Sequence, residues 1–370
     1  MRIVITLNTS WNIYNFRMNF IETLLEQGHE VHTVAPADDF THRLTAAGCI
    51  HHNVRLDSRG ANPIKDLGLI IEFFFIYRRI RPDMILHYTI KPNIYGTLAA
   101  AMLRIPVINN VCGLGTVFLK NGIVSRIALN LYKWSFRSPR KVFFQNPEDH
   151  RLFLDLGLVP AEIADLIPGS GVDLNHFYPS PYKRNNKFTF LMISRLISDK
   201  GVYEFIEAAK KLKQQGIDAR FQILGPKDPL HRRGIKLKTI DDWVRSGLVE
   251  YLGTTEDVRQ FIHKADCVVL PSYREGVPRT LLEAASSGRP IVATNVPGCR
   301  QVVEHNYNGL LCRMKDADDL ADKMRQVATL DEQGLRRMGA NGRKKMEQEF
   351  SEVVVIDKYV RSISQVRRAS

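Results

Sequence analysis

Two carboxylates lie eight positions apart in the stretch "PSYREGVPRTLLEAASSGRP", residues 271–290. Glu275 falls in a Gly/Pro loop, and Glu283 falls about one turn into a helix that we predict to begin near Pro278. Backbone N–H groups over 276–280 can point outward at this helix N-terminus and bind phosphate oxygens. Glu283 can accept two hydrogen bonds from a vicinal diol such as that of a ribose. A second interpretation stays open, in which Glu283 only complements the helix dipole.

Two cations are expected at the same edge of the same sheet. Arg195 and Lys200, in "ISRLISDKG", follow the first predicted strand of the C-terminal half and precede its first helix. Arginine offers a two-pronged hydrogen-bond donor and lysine a point charge, and together they suit a diphosphate. Alone, such cations usually belong to a solvated loop. Together with the two carboxylates and the N–H groups, they predict a site for a nucleotide-diphosphate sugar.

The elements that must position these residues alternate between strands and helices. Apolar runs such as "RIVITL", "HEVHTVAP" and "PDMILHY" are separated by amphipathic stretches, and a second series begins at Lys187 with "FTFLMIS". This rhythm predicts an α/β fold with two Rossmann-like, doubly wound domains that face each other across a cleft. Open parallel sheets bind ligands beyond the carboxyl ends of their strands, so the cleft is the expected site.

The domain boundaries follow from composition. The stretch "IPGSGVDLNHFYPSPYKRNNK" is rich in Gly, Pro and polar residues, which indicates an interdomain connection. We predict an N-terminal domain at 1–170, a C-terminal domain at 171–350 and a final helix at 351–370 that crosses back to the N-terminal domain.

Composition excludes several classes of protein. The chain has 370 residues, 44% of them hydrophobic, without low-complexity tracts, so we expect a folded protein with two lobes. Five scattered cysteines without a C-x-x-C pair argue against a disulfide framework and a structural zinc, and favour a reducing cytoplasm. The start, 1–7, resembles a strand rather than a signal peptide, and the apolar runs 67–77 and 94–103 are too short to span a bilayer.

The net charge of +13 predicts an anionic partner. No nucleic-acid-binding signature is present, so we do not expect nucleic acid. In "SRIALNLYKWSFRSPRKV" the polar residues Arg126, Asn130, Lys133 and Arg137 share one helical stripe beside an apolar one. This helix can lie on an anionic membrane while its cations hold a pyrophosphate, although a half-buried helix with a solvated cationic face stays open. We expect the phenylalanines at 73–75 to lie in the core.

With these motifs in place, the sequence resembles the GT-B retaining glycosyltransferases of family 4. The E-x7-E element of Glu275 and Glu283, "SRLISDKG", "GHEV" and "PGSGVDLNHFYP" carry the resemblance over essentially the whole chain. It implies that Glu275 contacts the donor sugar, Glu283 the ribose, Arg195 and Lys200 the diphosphate, and the strand 249–253 the base. The donor-binding set is Glu283, Gly276, Val277, Pro278, Arg279, Gly253, Arg195 and Lys200.

The N-terminal half is similar to enzymes that extend undecaprenyl-diphosphate-linked saccharides, of the α-1,3-N-acetylgalactosaminyltransferase type. "YNFRMNFIETL", "GLG" and "LYKWSF" carry this similarity. Many family members have a Gly-Gly loop where this chain has "NTSWNIYNFR", and a His-Gly pair where it has Cys112-Gly113. His87 either faces the cleft instead or is packed and hydrogen-bonded. The acceptor-binding set is Arg17, His87, Lys91, Gly113, Gly115, Arg126, Lys133 and Arg137.

The resemblance implies a retaining transfer in which Glu275, Arg195 and Lys200 are catalytic, without metal or other cofactor. The only D-x-D, at Asp316–Asp318, opens a helix and is interpreted as helix-terminal charge. We therefore expect a peripheral enzyme on the inner face of the plasma membrane that moves an N-acetylhexosamine from a UDP donor onto a polyprenyl-diphosphate-linked saccharide. The alternatives are a GT-B sugar-nucleotide epimerase, which needs one substrate, and a basic nucleic-acid-binding protein.

Overall fold

The structure is a computed structural model that describes residues 1–57, 63–114, 123–181 and 186–368. The chain divides into two compact units, one of Met1–Ser170 with Val355–Ser370 and one of Gly171–Val354. Each unit is built on its own parallel sheet with helices on both faces.

Among its described residues the first unit holds seven parallel strands, and the sheet order is β3-β2-β1-β4-β5-β6-β7. The strands are β1 (Arg2–Thr6), β2 (Glu30–Ala35), β3 (Ile50–Asn53), β4 (Met84–Tyr88), β5 (Val107–Val111), β6 (Lys141–Phe144) and β7 (Ala164–Leu166). The order reverses between β1 and β4, where the chain crosses from one half of the sheet to the other. Strands that are buried on both faces explain the continuous apolar runs in the sequence.

The helices of the first unit form two layers. They are α1 (Ser10–Glu26), α2 (Thr41–Ala46), α3 (Pro63–Ile80), α4 (Thr97–Met102), α5 (Ile123–Ser135) and α6 (Pro147–Asp155). A π-helical turn, Pro92–Gly96, precedes α4. The helices α3 to α6 pack into one hydrophobic core, and α1 and α2 pack into another. Since right-handed crossovers place helices on opposite faces on either side of the reversal point, these cores lie on opposite faces of the sheet.

The second unit repeats the plan, and its described part, 171–181 and 186–354, has six parallel strands in the order β10-β9-β8-β11-β12-β13. The strands are β8 (Phe188–Ile193), β9 (Ala219–Leu224), β10 (Glu250–Tyr251), β11 (Cys267–Leu270), β12 (Ile291–Thr294) and β13 (Gly309–Cys312). The helices are α7 (Val202–Gln214), α8 (Leu237–Arg245), α9 (Arg259–Lys264), α10 (Arg279–Ser286), α11 (Cys299–Val302), α12 (Ala317–Ala328) and α13 (Glu332–Glu349). Here the order reverses between β8 and β11.

The last helix, α14 (Glu352–Arg368), contributes to the core of the first unit. Its inward side chains recur at three- and four-residue spacing, as one face of a helix requires. They are Val355, Tyr359, Ile363 and Val366. The Tyr359 ring packs edge-on against the Phe143 ring at 5.4 Å between centroids. The first unit is therefore assembled from both ends of the chain.

Candidate functional site

The loops that follow β8 and β11 carry three of the residues predicted for the donor site: Arg195, Lys200 and Glu275. These strands are neighbours at the reversal point of the second sheet, so both loops leave the same carboxyl edge. The backbone N–H of Tyr273 donates to the Asp199 carbonyl at 2.9 Å and ties the two loops together.

A glycine makes the close approach of these loops possible. Gly201 has a φ of +75°, and a Cβ atom at this position would overlap the carbonyl of Pro271. Gly298, after β12, approaches the carbonyl of Gly276 in the same way. Both positions therefore require glycine, because any larger residue would push the two loops apart. Sequence reasoning missed Gly298, although its place after a buried strand was a usable signal.

Lys200 and Glu275 form an ion pair. The Lys200 Nζ lies 2.5 Å from the Glu275 Oε1, and the two side chains are only 23% and 12% exposed. The structure thus brings together two residues that were predicted to act on different parts of the donor, and it joins them to each other. A diphosphate that binds Lys200 must compete with this carboxylate.

Glu283 is buried in α10 and pairs with Arg279. The Arg279 Nε donates to the Glu283 Oε1 at 3.0 Å, one turn earlier on the same helix. Burial raises the pKa of Glu283 above its usual value, and the nearby Arg279 charge opposes this shift. Arg279 also donates to the Gly171 carbonyl at 3.2 Å. Glu283 therefore does more than complement a helix dipole, because it holds a buried cation.

Pro278 precedes the first residue of α10 and has the extended backbone of an N-cap position. Proline has no N–H, so the predicted segment Gly276, Val277, Pro278 and Arg279 cannot supply a phosphate donor at every position. Pro278 sets the backbone angle at the helix entrance, as its extended N-cap conformation shows. The other three residues of the segment, Gly276, Val277 and Arg279, each have a backbone N–H.

Arg195 differs from Lys200 because its side chain is exposed. Within the described ranges, no carboxylate pairs with its guanidinium, whereas its carbonyl accepts from the Ile197 N–H at 2.9 Å. The backbone of the loop is thus fixed while the charged group stays in solvent. Arg195 keeps its full donor set for a ligand.

The ends of β9 and β10 lie beside this edge, where the base was expected. Gly253 has a φ of +77°, and its carbonyl accepts from the Gly225 N–H at 2.8 Å. The Tyr251 hydroxyl donates to the Gly225 carbonyl at 2.9 Å, and the Lys227 ammonium lies 4.7 Å from the centre of the Tyr251 ring. Tyr251 belongs to the stretch 249–253 that was predicted to contact the base, whereas Lys227, just beyond the end of β9, was not predicted.

The carboxyl edge of the first sheet is arranged differently. Arg17, on α1, is 6% exposed, and its guanidinium lies 4.4 Å from the centre of the Tyr88 ring. Its Nη1 donates to the Phe16 carbonyl at 2.8 Å, and no carboxylate among the described residues pairs with it. A buried cation without an acid is costly unless another group balances its charge.

His87 is enclosed completely, which corrects the expectation that it contacts an acceptor. Its Nε2 lies 3.0 Å from the Tyr77 hydroxyl, and its Nδ1 lies 3.1 Å from the Asn109 Oδ1 and 3.2 Å from the Thr97 Oγ1. Burial lowers the pKa of His87 to about 3, so the ring is neutral. The alternative of a packed, hydrogen-bonded histidine is the one that the structure contains.

Lys91 is also engaged within its own unit. Its Nζ lies 2.7 Å from the Asp66 Oδ1, both side chains are mostly buried, and the Tyr95 hydroxyl donates to the other Asp66 oxygen at 2.9 Å. Lys91, which was predicted to bind the acceptor, therefore neutralises a buried acid in its own unit. Gly113 follows β5 with a φ of +114°, and Gly115 lies outside the described residues.

The cations predicted on the α5 stripe are exposed. Arg126, Lys133 and Arg137 all point to solvent, although Arg137 lies just beyond the end of α5 and so does not extend the helical stripe. On the apolar stripe, Trp134 is 71% exposed. Phe136 is fully buried with Tyr132. The helix thus presents a cationic and partly apolar face.

No group of three His, Cys, Asp or Glu side chains is positioned to hold a metal ion in the part of the chain that the structure describes. In the D-x-D stretch, the Asp316 side chain accepts from the Asp319 N–H at 2.9 Å and caps α12, while Asp318 pairs with Lys211. Within the described ranges, no helix has the length and apolar character that a membrane crossing requires.

The fold and the loop residues define the class as a GT-B α/β enzyme. Comparison with known proteins agrees: a model for "Glycosyl transferase 4-like" proteins matches residues 3–146, and one for "Glycosyl transferases group 1" matches residues 178–345. The chain belongs to the glycosyltransferase family that these two models describe, and it is an enzyme of that family.

Relatives match over the whole chain. It is 29% identical to the N,N'-diacetylbacillosaminyl-diphospho-undecaprenol alpha-1,3-N-acetylgalactosaminyltransferase of Campylobacter jejuni, over 99% of each chain. It is 27% identical to the UDP-Gal:alpha-D-GlcNAc-diphosphoundecaprenol alpha-1,3-galactosyltransferase of Escherichia coli, over 81% of this chain and 80% of the other. A crystal structure of Anabaena HepE in complex with UDP shares the fold, with a TM-score of 0.79, 21% identity and coverage of 99% and 100%.

Proposed function

We propose that the chain transfers an N-acetylhexosamine from a UDP donor, with retention, to a polyprenyl-diphosphate-linked saccharide. This transfer would serve the assembly of a bacterial surface polysaccharide or of a glycoprotein glycan. The observation that carries the donor half is the Lys200–Glu275 pair, 2.5 Å apart at the reversal point of the second sheet. The similarity to enzymes named for diphospho-undecaprenol acceptors supports the acceptor half.

When the donor binds, Lys200 would exchange its ion pair with Glu275 for an ion pair with the diphosphate of the donor. The diphosphate takes Lys200, joined by the exposed Arg195, and Glu275 is released to accept hydrogen bonds from the sugar hydroxyls. Glu283, held by Arg279, accepts from the ribose diol. Because Lys200 and Glu275 are already partly desolvated, their exchange loses less water than it would at an exposed pair.

The transfer follows from this placement of charge. The bond between the anomeric carbon and the diphosphate oxygen breaks while the acceptor hydroxyl attacks from the same face, and the leaving diphosphate takes the hydroxyl proton. Negative charge grows on the diphosphate, so Lys200 and Arg195 stabilise the transition state more than the ground state. On this proposal the two cations balance the leaving group without a metal ion.

The acceptor would be bound by the first unit. The exposed cations Arg126, Lys133 and Arg137 suit a lipid-linked pyrophosphate at an anionic membrane surface, and the aromatic Trp134 suits the interface between headgroups and acyl chains. Arg17, buried without an acid, and Gly113, at the end of β5, complete the proposed acceptor set. On this proposal the enzyme works on the cytoplasmic face of the membrane as a peripheral protein.

The test is a transfer assay with the full chain. Nucleotide sugars are first screened by thermal shift, and the best donor is then incubated with a synthetic polyprenyl-diphosphate saccharide. We expect a product one N-acetylhexosamine heavier, with an α linkage by NMR. Consumption of the donor to an epimer without acceptor would favour the epimerase alternative, for which the comparisons give no support. Salt-sensitive retention of RNA or DNA without use of any donor would favour a nucleic-acid-binding protein.

A further inference from the structure

Helix α3 is apolar on two opposite faces, and in the part of the chain that the structure describes only one of them is covered. The inner face packs into the core of the first unit. Its residues are Leu69, Phe73, Tyr77 and Ile80. The outer face carries large side chains at three- and four-residue spacing that stay in solvent. They are Ile64, Leu67, Ile71 and Phe75, which are 83%, 60%, 51% and 60% exposed.

The four exposed side chains form a continuous stripe. At 3.6 residues per turn they fall within an arc of about 80°, opposite the buried face, and they extend over about 17 Å of the helix. We name this set, Ile64, Leu67, Ile71 and Phe75, the α3 stripe. A surface helix of a soluble domain carries polar residues at such positions, and a helix that is apolar all round is normally enclosed. Phe75 also corrects the expectation that the whole run 73–75 is core, since only Phe73 is fully buried.

The two acids of α3 do not interrupt the stripe. Asp66 is buried and paired with Lys91, and the Glu72 Oε1 accepts from the Arg55 N–H at 3.1 Å. Cations instead border the stripe, with Lys65 beside its N-terminal part and Arg78 beyond its C-terminal end, both exposed. Long cationic side chains in this position can reach headgroup phosphates while their methylene groups stay in the apolar layer.

Other helices of the same layer also carry exposed apolar side chains. Helices α3, α4 and α5 pack into one core, on one side of the sheet. Exposed on their outer sides are Met102 of α4 and Ile127 and Trp134 of α5, at 58%, 53% and 71%. An apolar helix face of this extent with a cationic border marks an interaction site rather than an ordinary solvent face.

We propose that the α3 stripe is immersed in the acyl-chain boundary of an anionic lipid bilayer, with α3 lying parallel to the membrane plane. The inference deepens the proposed function, because there the acceptor is a lipid. It also differs from the electrostatic contact proposed for α5, since burial of apolar side chains is not screened by salt. A second copy of this chain fits the surface less well, because a symmetric contact would bring identical cations face to face.

The test is co-sedimentation of the full chain with vesicles of phosphatidylethanolamine and phosphatidylglycerol in equal parts, at low salt and at about 1 M salt. We expect a part of the wild-type binding to survive high salt. Phe75→Asp and Ile71→Asp should each weaken that part by about tenfold, the order expected for loss of one half-immersed large side chain. Both positions are exposed, so neither change is expected to unfold the protein.

Matched controls separate lipid contact from a general charge effect. Leu230→Asp makes the same kind of change at an 86% exposed position in the second unit and should bind vesicles as the wild type does. Lys133→Gln should reduce binding at low salt only. Phe75→Asp should keep the thermal shift caused by the UDP sugar and its transfer to a water-soluble acceptor, which separates a failure of this inference from a failure of the proposed function.

Two results would overturn the inference. One is vesicle binding of Phe75→Asp and Ile71→Asp that equals the wild type at high salt. The other is a wild-type dimer, seen by sedimentation velocity without vesicles, that Phe75→Asp dissociates while vesicle binding stays unchanged. The second result would assign the α3 stripe to a contact between copies of the chain.

Discussion

At the carboxyl edge of the second sheet, each of the two predicted acids has a basic partner: Glu275 pairs with Lys200, and Glu283 with Arg279. At the corresponding edge of the first sheet, Arg17 is buried against Tyr88 without an acid, and the nearby histidine is neutral. Both sheets reverse strand order at this point, so the topology is shared and the use of charge is not. The edge of the second sheet holds two ion pairs and an exposed arginine, Arg195, whereas the edge of the first sheet holds a buried arginine without an acid partner among the described residues.

This difference suits two kinds of ligand. A site that binds and releases a charged diphosphate in every cycle needs its cations held in place between cycles, and an internal carboxylate does this. A site that receives a lipid-linked substrate gains more from unpaired cations and apolar surface, because the partner supplies the negative charge. Four substitutions test whether the two edges have these different roles.

Lys200→Ala should have the largest effect, a loss of about 10²–10³ in kcat, because one cation that neutralises the leaving diphosphate is removed. Steady-state kinetics with the UDP sugar measures it. Lys211→Ala is the matched control: Lys211 also pairs with an acid in the second unit, but it lies on α7 and pairs with Asp318, so its kinetics should not change. Equal kinetics for Lys200→Ala and the wild type would remove Lys200 from the donor site.

Glu283→Gln should raise the donor KM by about tenfold, because an amide accepts fewer hydrogen bonds from the ribose diol than a carboxylate. In the wild type the donor KM should also rise as the pH falls through the raised pKa of Glu283, since protonation removes the acceptor. The variant should lack this pH dependence. Glu207→Gln, an exposed change on α7, serves as control.

The free energy of unfolding of the wild type should depend on pH through Glu283, and the sign of this dependence is defined. The folded pKa of Glu283 lies above its unfolded value, so its favourable contribution is fully present below the unfolded pKa and is lost as the pH rises through the folded pKa. Urea unfolding at several pH values measures this slope. A slope that is unchanged in Glu283→Gln would contradict the assignment.

Arg17→Met should separate structure from acceptor binding. Removal of a buried charge that has no acid partner should change the free energy of unfolding by no more than about 1 kcal/mol, because the desolvation cost disappears with the cation–π contact. The acceptor KM should rise by about tenfold while the donor KM stays constant. If Arg17→Met unfolds the protein and Arg17→Lys restores both fold and acceptor KM, the residue is structural.

His87→Gln should leave both KM values and kcat unchanged and lower the free energy of unfolding by about 1–3 kcal/mol, through lost hydrogen bonds in a closed site. The folded pKa of His87 near 3 lies below the ordinary value of 6.5, so the wild type should lose stability as the pH falls from 6.5 towards 3. The variant should show a shallower acid slope. His42→Gln, an exposed change, should have neither effect, and a kinetic defect in His87→Gln would return the residue to the acceptor site.

Much of this molecule could be predicted from local sequence patterns. Buried parallel strands have continuous apolar runs, and amphipathic helices repeat apolar residues every three or four positions. The α/β class and the location of Arg195, Lys200 and Glu275 at strand ends therefore follow from neighbouring residues. The position of Glu283 on a helix follows for the same reason. Each of these properties depends on residues close in the chain.

Only the tertiary structure decided which charged groups meet. Lys200 and Glu275 are 75 residues apart in sequence and pair because β8 and β11 are neighbours in the sheet. The burial of His87 and the exposure of Phe75 depend likewise on which elements cover them, and a three-residue aromatic run does not tell a covered helix face from an open one. The local sequence determines the spacing of apolar residues and the local backbone conformation. Packing between distant segments determines the environment of each side chain, and therefore its charge and its accessibility.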